Sequence, residues 1–167
     1  MKNVIFAALA LTVLAVFGSS CTKEQVTPSE PGKAMITYAV LINSDETNDT
    51  TMNGNPMTMY EPVANQEIIF SMNSADIQRR PDPNYNYETL TFRGTTDASG
   101  MVTIEVPAIG DNASVDVRFP ELKVSVRREA LDRDGNTIVV MEEEYFGGAD
   151  RTVTVFDGAQ ITREYRY

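Results

Sequence analysis

The 167-residue sequence has no histidine. Histidine is the commonest general base and metal ligand near neutral pH, so that chemistry is missing. Ser-His-Asp and Cys-His nucleophilic sites are excluded with it. Cys21 is the only cysteine. An internal disulfide and a thiolate zinc site are therefore impossible. Tryptophan is absent, which weakens any platform for stacking on sugar rings. Basic charge is scarce: 14 Lys and Arg stand against 24 Asp and Glu, a net charge of −10. Such a balance argues against nucleic acid as a partner, because phosphates require basic patches. It also argues against charge-driven adsorption to anionic lipid, and it favours solubility. After residue 21 no stretch carries an apolar period of 3.6, and no internal repeat is visible.

What is there begins with Met1 to Cys21. Lys2 supplies a positive start, and Val4 to Phe17 is apolar apart from Thr12. Gly18-Ser19-Ser20 are small and precede Cys21. This is the layout of a secretory signal, and it falls short of the roughly 20 apolar residues that span a bilayer. A cysteine at the cut point resembles the lipobox of bacterial lipoproteins. Ser19 and Ser20 fit that pattern, while Gly18 stands where it has an aliphatic residue. The resemblance implies removal of residues 1–20 and a lipid on Cys21 that ties the chain to a membrane. Thr22-Lys23-Glu24-Gln25 resembles the charged tag that sends some lipoproteins of Bacteroidetes to the cell exterior. The expected location is the outer membrane, facing outward, with the periplasmic face as the alternative. Residues 21–33, with Pro28, Ser29, Pro31 and Gly32, read as a flexible tether. Fully extended, it reaches roughly 40 Å.

Residues 34–167 suit one domain. Ala34–Asn43 is apolar on both faces, which suggests a central strand. Further strands are expected at Glu67–Met72, Tyr87–Arg93, Met101–Val106, Ser114–Phe119, Leu122–Arg128, Thr137–Phe146, Arg151–Phe156 and Ala159–Tyr167. Turns are expected at Asp111-Asn112 and at Asp132–Asn136. A closing hairpin is expected around Asp157-Gly158. The sum is all-β: a single antiparallel β-sandwich of about 7–9 strands.

Thr95 to Pro107, TTDASGMVTIEVP, carries the one family echo in this part. Asp97 is suited to an Asx turn and Gly100 to positive φ, and Val102, Ile104 and Val106 alternate inward. The stretch resembles a turn and strand of prealbumin-like domains. These are the Ig-like, transthyretin-type sandwiches of carboxypeptidase regulatory domains, Cna-B-type modules and many Bacteroidetes lipoproteins. The resemblance implies the fold and no particular function, because such folds host many roles. Cna-B modules often carry a Lys-Asn isopeptide bond, and nothing marks Lys33 or Lys123 as part of one.

Two loops hold the unexplained surface, Ser44–Gln66 and Asn73–Asn86. The first contains Asp45, Asp49, Met52, Met57, Met59 and Tyr60. Its methionines and Tyr60 are expected to cover an open end of the core, with a short hairpin around Asn53-Gly54 as an alternative. The second contains Arg79, Arg80 and Tyr85. Loops on a rigid sandwich are the usual seat of binding, here for a glycan or protein partner. Asp49-Thr50-Thr51 resembles an O-glycosylation acceptor, with Thr50 as the modified residue. Asp132, Asp134 and Asn136 mimic the start of a calcium loop. The glycine and flanking helices of an EF-hand are missing, so only a loose Ca²⁺ site or a plain hairpin turn remains. Glu142-Glu143-Glu144 read as a charged strand edge. No cofactor motif and no catalytic constellation is present, so the chain reads as a non-enzyme. Two functions are compatible with this: a lipid-anchored binding module, or a structural subunit assembling by edge-strand pairing. The sequence leaves the oligomeric state open.

Overall fold

The computed structural model describes residues 30–110 and 112–167. The signal segment, Cys21 and residues 22–29 of the tether lie outside the described residues, as does Asp111. The strands in chain order are β1 (Gly32–Ile42), β2 (Thr50–Met52), β3 (Asn55–Met57), β4 (Glu61–Pro62), β5 (Glu67–Asn73), β6 (Thr89–Thr95), β7 (Met101–Ala108), β8 (Ala113–Phe119), β9 (Leu122–Leu131), β10 (Thr137–Phe146), β11 (Ala149–Val155) and β12 (Gln160–Arg166). Two short 3-10 turns sit at Glu46–Asn48 and Ser74–Ile77. The described chain is thus all-β. The nine expected strands are present, and β2, β3 and β4 are short additions within the first loop.

In the first sheet β1 is central. β12 pairs with one of its edges, and β7 and then β4 pair along the other. The second sheet runs β11-β8-β5-β6, antiparallel throughout. Alternation explains the sandwich. Ala34, Ile36, Tyr38, Val40 and Ile42 of β1 are all buried, as are Ile68, Phe70 and Met72 of β5 and Val115, Val117 and Phe119 of β8. These inner faces meet as one core, and Pro31–Tyr167 forms one compact unit. The second face of β1, with Met35, Thr37, Ala39 and Leu41, is only partly covered.

Three expectations change. The tether is shorter than read, because Gly32 and Lys33 already belong to β1, opposite Ala108 and Pro107. β11 and β12 are not a hairpin. β11 pairs with β8 and β12 pairs with β1, in different sheets. At the Asp157-Gly158 turn, Asp157 N donates to Ile109 O and Gly158 N to Lys33 O, so the turn carries the chain across the sandwich. An Asp-Gly signal specifies a reversal and not the strand's partner. Finally, β12 runs parallel to β1, so the sandwich is not purely antiparallel. The two strands come from opposite ends of the domain, and no tight turn forces them antiparallel.

The Asp97 turn behaves as its residues suggest. The Asp97 carboxylate accepts from Ser99 N at 2.8 Å and from Met101 N at 3.0 Å. Gly100 has φ +74, and a Cβ there would stand 2.6 Å from Val40 O. The Ser99 hydroxyl, which also donates to this carboxylate, and then the two amides hold the Asp97 carboxyl below its usual range.

The sandwich has two ends. Gly32, the Asp157-Gly158 turn and the 74–88 loop share one, where Ser114 N donates to Asp76. The 43–66 loop, the Asp97 turn and the departure of β9 share the other. After Pro120 the chain leaves the second sheet, and β9 and β10 form a separate two-stranded ribbon.

Candidate functional site

The far end is built from the first loop and this ribbon. Asp45 caps the Glu46–Asn48 turn, accepting from Thr47 N at 3.1 Å and Thr47 Oγ1 at 2.5 Å. It also meets Arg127 Nη1 at 3.2 Å. The Thr47 hydroxyl is the main reason its carboxyl sits below the usual value, with Arg127 adding to it. Arg127 N donates to Ser44 O, which ties β9 to the end of β1. Arg128 is gripped by three carboxylates: Glu46 at 2.9 Å, Glu142 at 3.2 Å and Glu144 at 2.6 Å. Glu144 does most to raise the guanidinium's pKa. Glu61 accepts from Ser44 N at 2.8 Å and Asn48 Nδ2 at 2.5 Å. Asp49 accepts from Met59 N at 2.8 Å and Asn43 Nδ2 at 3.2 Å. The loop's acids are thus spent on holding the loop's own shape and docking the ribbon.

The ribbon's two faces differ. Leu122, Val124, Val126, Arg128 and Ala130 lie opposite Phe146, Glu144, Glu142, Val140 and Ile138. Leu122 and Val126 on this face are buried. The other face presents Leu131, Val139, Met141 and Tyr145 to solvent, with exposures of 72% for Leu131, 61% for Met141 and 71% for Tyr145. Lys123 and Glu143 pair beside Tyr145 at 2.7 Å, and Lys123 Nζ lies 5.6 Å from the Tyr145 ring centre. Among the described residues β10 pairs only with β9, so its outer edge is open.

The sequence-level candidates scatter over this frame. Met52 and Met57 lie on the exposed β2–β3 hairpin and cover no part of the core. The hairpin wins there because Asn53 and Gly54 both adopt positive φ, as the tight turn requires. Tyr60 is held under Arg166, whose Cζ lies 4.6 Å from the ring centre. Arg79, Arg80 and Tyr85 are exposed at the opposite end. The Tyr85 and Tyr87 rings meet edge-on at 4.8 Å, and Tyr87 Oη accepts from Asp82 N. The two loops therefore make no common surface: they flank opposite ends of β5, which extends for seven residues.

Asp132 accepts from Asp134 N at 2.9 Å and Asn136 N at 2.8 Å, with Asn136 Nδ2 at 3.1 Å. Its carboxylate is turned onto its own hairpin, and Asn136 holds its pKa down. Among the described residues no group of three or more His, Cys, Asp or Glu is placed to hold a metal ion. Asp134 and Asn136 close the turn through their backbone N–H groups. Thr50 stands exposed at the start of β2. Lys33 pairs with Glu105 at 2.6 Å, on the surface.

Comparison with family models finds no match, and comparison with curated proteins finds none either.

Sequence reasoning missed the ribbon's outer face. Its signal was present: Thr137–Met141 has only one polar residue, where a solvated strand alternates.

Proposed function

We propose that this chain is a non-catalytic cell-envelope lipoprotein. It is anchored in the outer membrane through a lipid on Cys21, resembling the small lipoproteins of Bacteroidetes, and faces the cell exterior. Its prealbumin-like sandwich docks a protein partner at the end where the first loop and the ribbon meet. The observation that carries this reading is the set of large apolar side chains, Leu131, Val139, Met141 and Tyr145, that the ribbon's outer face exposes among charged neighbours. Exposed apolar clusters of this kind mark interaction sites. Thr50, exposed on the same far end, is the residue an O-glycosylating enzyme would reach.

A photo-crosslinking residue in place of Met141, set against one in place of Arg79, tests this on intact cells. A discrete adduct at position 141 and none at 79 is the expected result. Equal labelling at both sites would remove the far end as the docking surface. Loss of membrane fractionation in Cys21→Ala tests the anchor separately.

The second reading is a structural subunit that assembles through edge strands, and the open edge of β10 favours it. Sizing of the full chain in detergent separates the two. Concentration-dependent oligomers abolished by Met141→Pro, whose N–H points away from β9 as that of the opposite Arg127 does, support assembly; a monomer at every concentration removes it.

A further inference from the structure

A second feature lies on the long side of the sandwich, away from both loops. The core-facing positions of β11 are Ala149, Arg151, Val153 and Val155, and Val153 and Val155 are buried. Those of β12 are Ile161, Arg163, Tyr165 and Tyr167. Each edge strand thus places one arginine where its alternation calls for an apolar residue. Arg163 stands opposite Tyr38 in the parallel register with β1. Between the two edges is a cleft of about 410 Å³, lined by Tyr38, Arg151, Val153 and Arg163 among others.

Both arginines lack an ion-pair partner among the described residues, although acids outnumber bases 24 to 14. The nearby acid, Glu164, is engaged by Arg166. Arg151 lies over the Tyr165 ring, 5.8 Å from its centre, which orders the guanidinium. Tyr38 is 4% exposed. Its hydroxyl has no hydrogen-bond partner among the described residues and is not enclosed, so it opens on the cleft as a free donor. Burial raises its pKa, while the charges of Arg163 and Arg151 act in the opposite sense, which puts all three groups within electrostatic reach.

We propose that this cleft binds a small oxyanion, a carboxylate or a phosphate monoester, between the guanidinium groups of Arg151 and Arg163 with the Tyr38 hydroxyl as a third donor. Guanidinium forks match planar carboxylate and phosphate oxygens, and paired forks fix orientation as well as charge. The cleft volume falls in the range of small-molecule sites, roughly 300–1,000 Å³. An extended polyanion is disfavoured, because beyond the cleft it meets a surface with net negative charge. The site stands independently of the anchor and of the ribbon.

The test is an NMR titration of the full chain in detergent, following arginine Nε–Hε resonances at constant ionic strength. Inorganic phosphate and succinate are the probes, and chloride is the reference. Saturable shifts confined to Arg151 and Arg163 are expected. Response to phosphate alone assigns a phosphate ligand, to succinate alone a carboxylate, and to both a general oxyanion site. Arg163→Gln should weaken binding about tenfold or more, and Tyr38→Phe by less, with circular dichroism unchanged. Arg163→Lys keeps the charge and loses the fork, so weakening there as well assigns the fork a role. Shifts no larger than with chloride, or equal shifts at Arg79 and Arg133, overturn the proposal whatever the variants do.

Discussion

Phe119 stacks on Tyr165 with ring centres 3.9 Å apart and 11° between the planes. One ring comes from β8 in the second sheet and the other from β12 in the first. Tyr38 meets Phe119 edge-on at 5.1 Å, and Tyr167 meets Tyr165 at 4.8 Å. This cluster joins the sheets along the side that no hairpin closes. Phe119→Ala is expected to cost about 3–5 kcal/mol, because a large ring leaves a cavity between two sheets. Phe119→Leu should cost markedly less. Urea unfolding of both variants checks the order.

Tyr167 Oη donates to Pro120 O at 2.8 Å and pins the last strand to the start of the ribbon. Burial pushes its phenol well above the ordinary range, with the neighbouring Tyr165 adding to the effect. Below about pH 10 both folded and unfolded states keep this proton. Above it the unfolded chain ionises first, so stability falls as pH rises. Tyr167→Phe should lose about 1 kcal/mol at neutral pH and show a shallower alkaline decline. Thermal melts from pH 7 to 11 read both effects.

Asp97 gives the acid-side counterpart. Its folded pKa is depressed, so its contribution is present above the unfolded value of about 3.9 and is lost as pH falls through the folded one. Asp97→Asn keeps an acceptor for the turn but no charge. The stability gap between wild type and variant should therefore be open at pH 6 and close on acidification below about pH 3.9. A gap independent of pH would mean the turn owes nothing to the charge.

Arg128 bridges Glu46 on the loop to Glu142 and Glu144 on β10. A two-stranded ribbon is marginal without such support. Arg128→Ala leaves three like charges facing one another. Amide exchange over 122–146 should quicken while exchange in β1, β5 and β8 stays unchanged. Uniform quickening would place the ribbon in the same cooperative unit as the core.

Gly148 lies against backbone: a Cβ there would stand 2.2 Å from Phe119 O and 2.7 Å from Pro120 C. Gly147 has nothing within 4 Å of the same position. Gly148→Ala should destabilise by about 1–3 kcal/mol, and Gly147→Ala should be far milder. Paired melting curves decide it.

Local chemistry was enough to locate the strands. Val102, Ile104 and Val106 announce their inner face because side chains alternate at period two, and Asp97 with Gly100 announces a turn because both act within four residues. The Asn53-Gly54 and Asp132–Asn136 hairpins were legible for the same reason. Pairing across the chain was not. That β12 lies parallel to β1, and β11 against β8, depends on contacts thirty or more residues apart, which no local pattern encodes. The candidate surfaces divide likewise. The sequence marked two loops, but only the fold sets them at opposite ends of β5. Alternation already sets Arg151 on the face of Val153 and Val155, and Arg163 on the face of Ile161 and Tyr165, but no local pattern brings the two arginines together. Tertiary structure turns both toward Tyr38, because their strands are the edges of two sheets that close over one core.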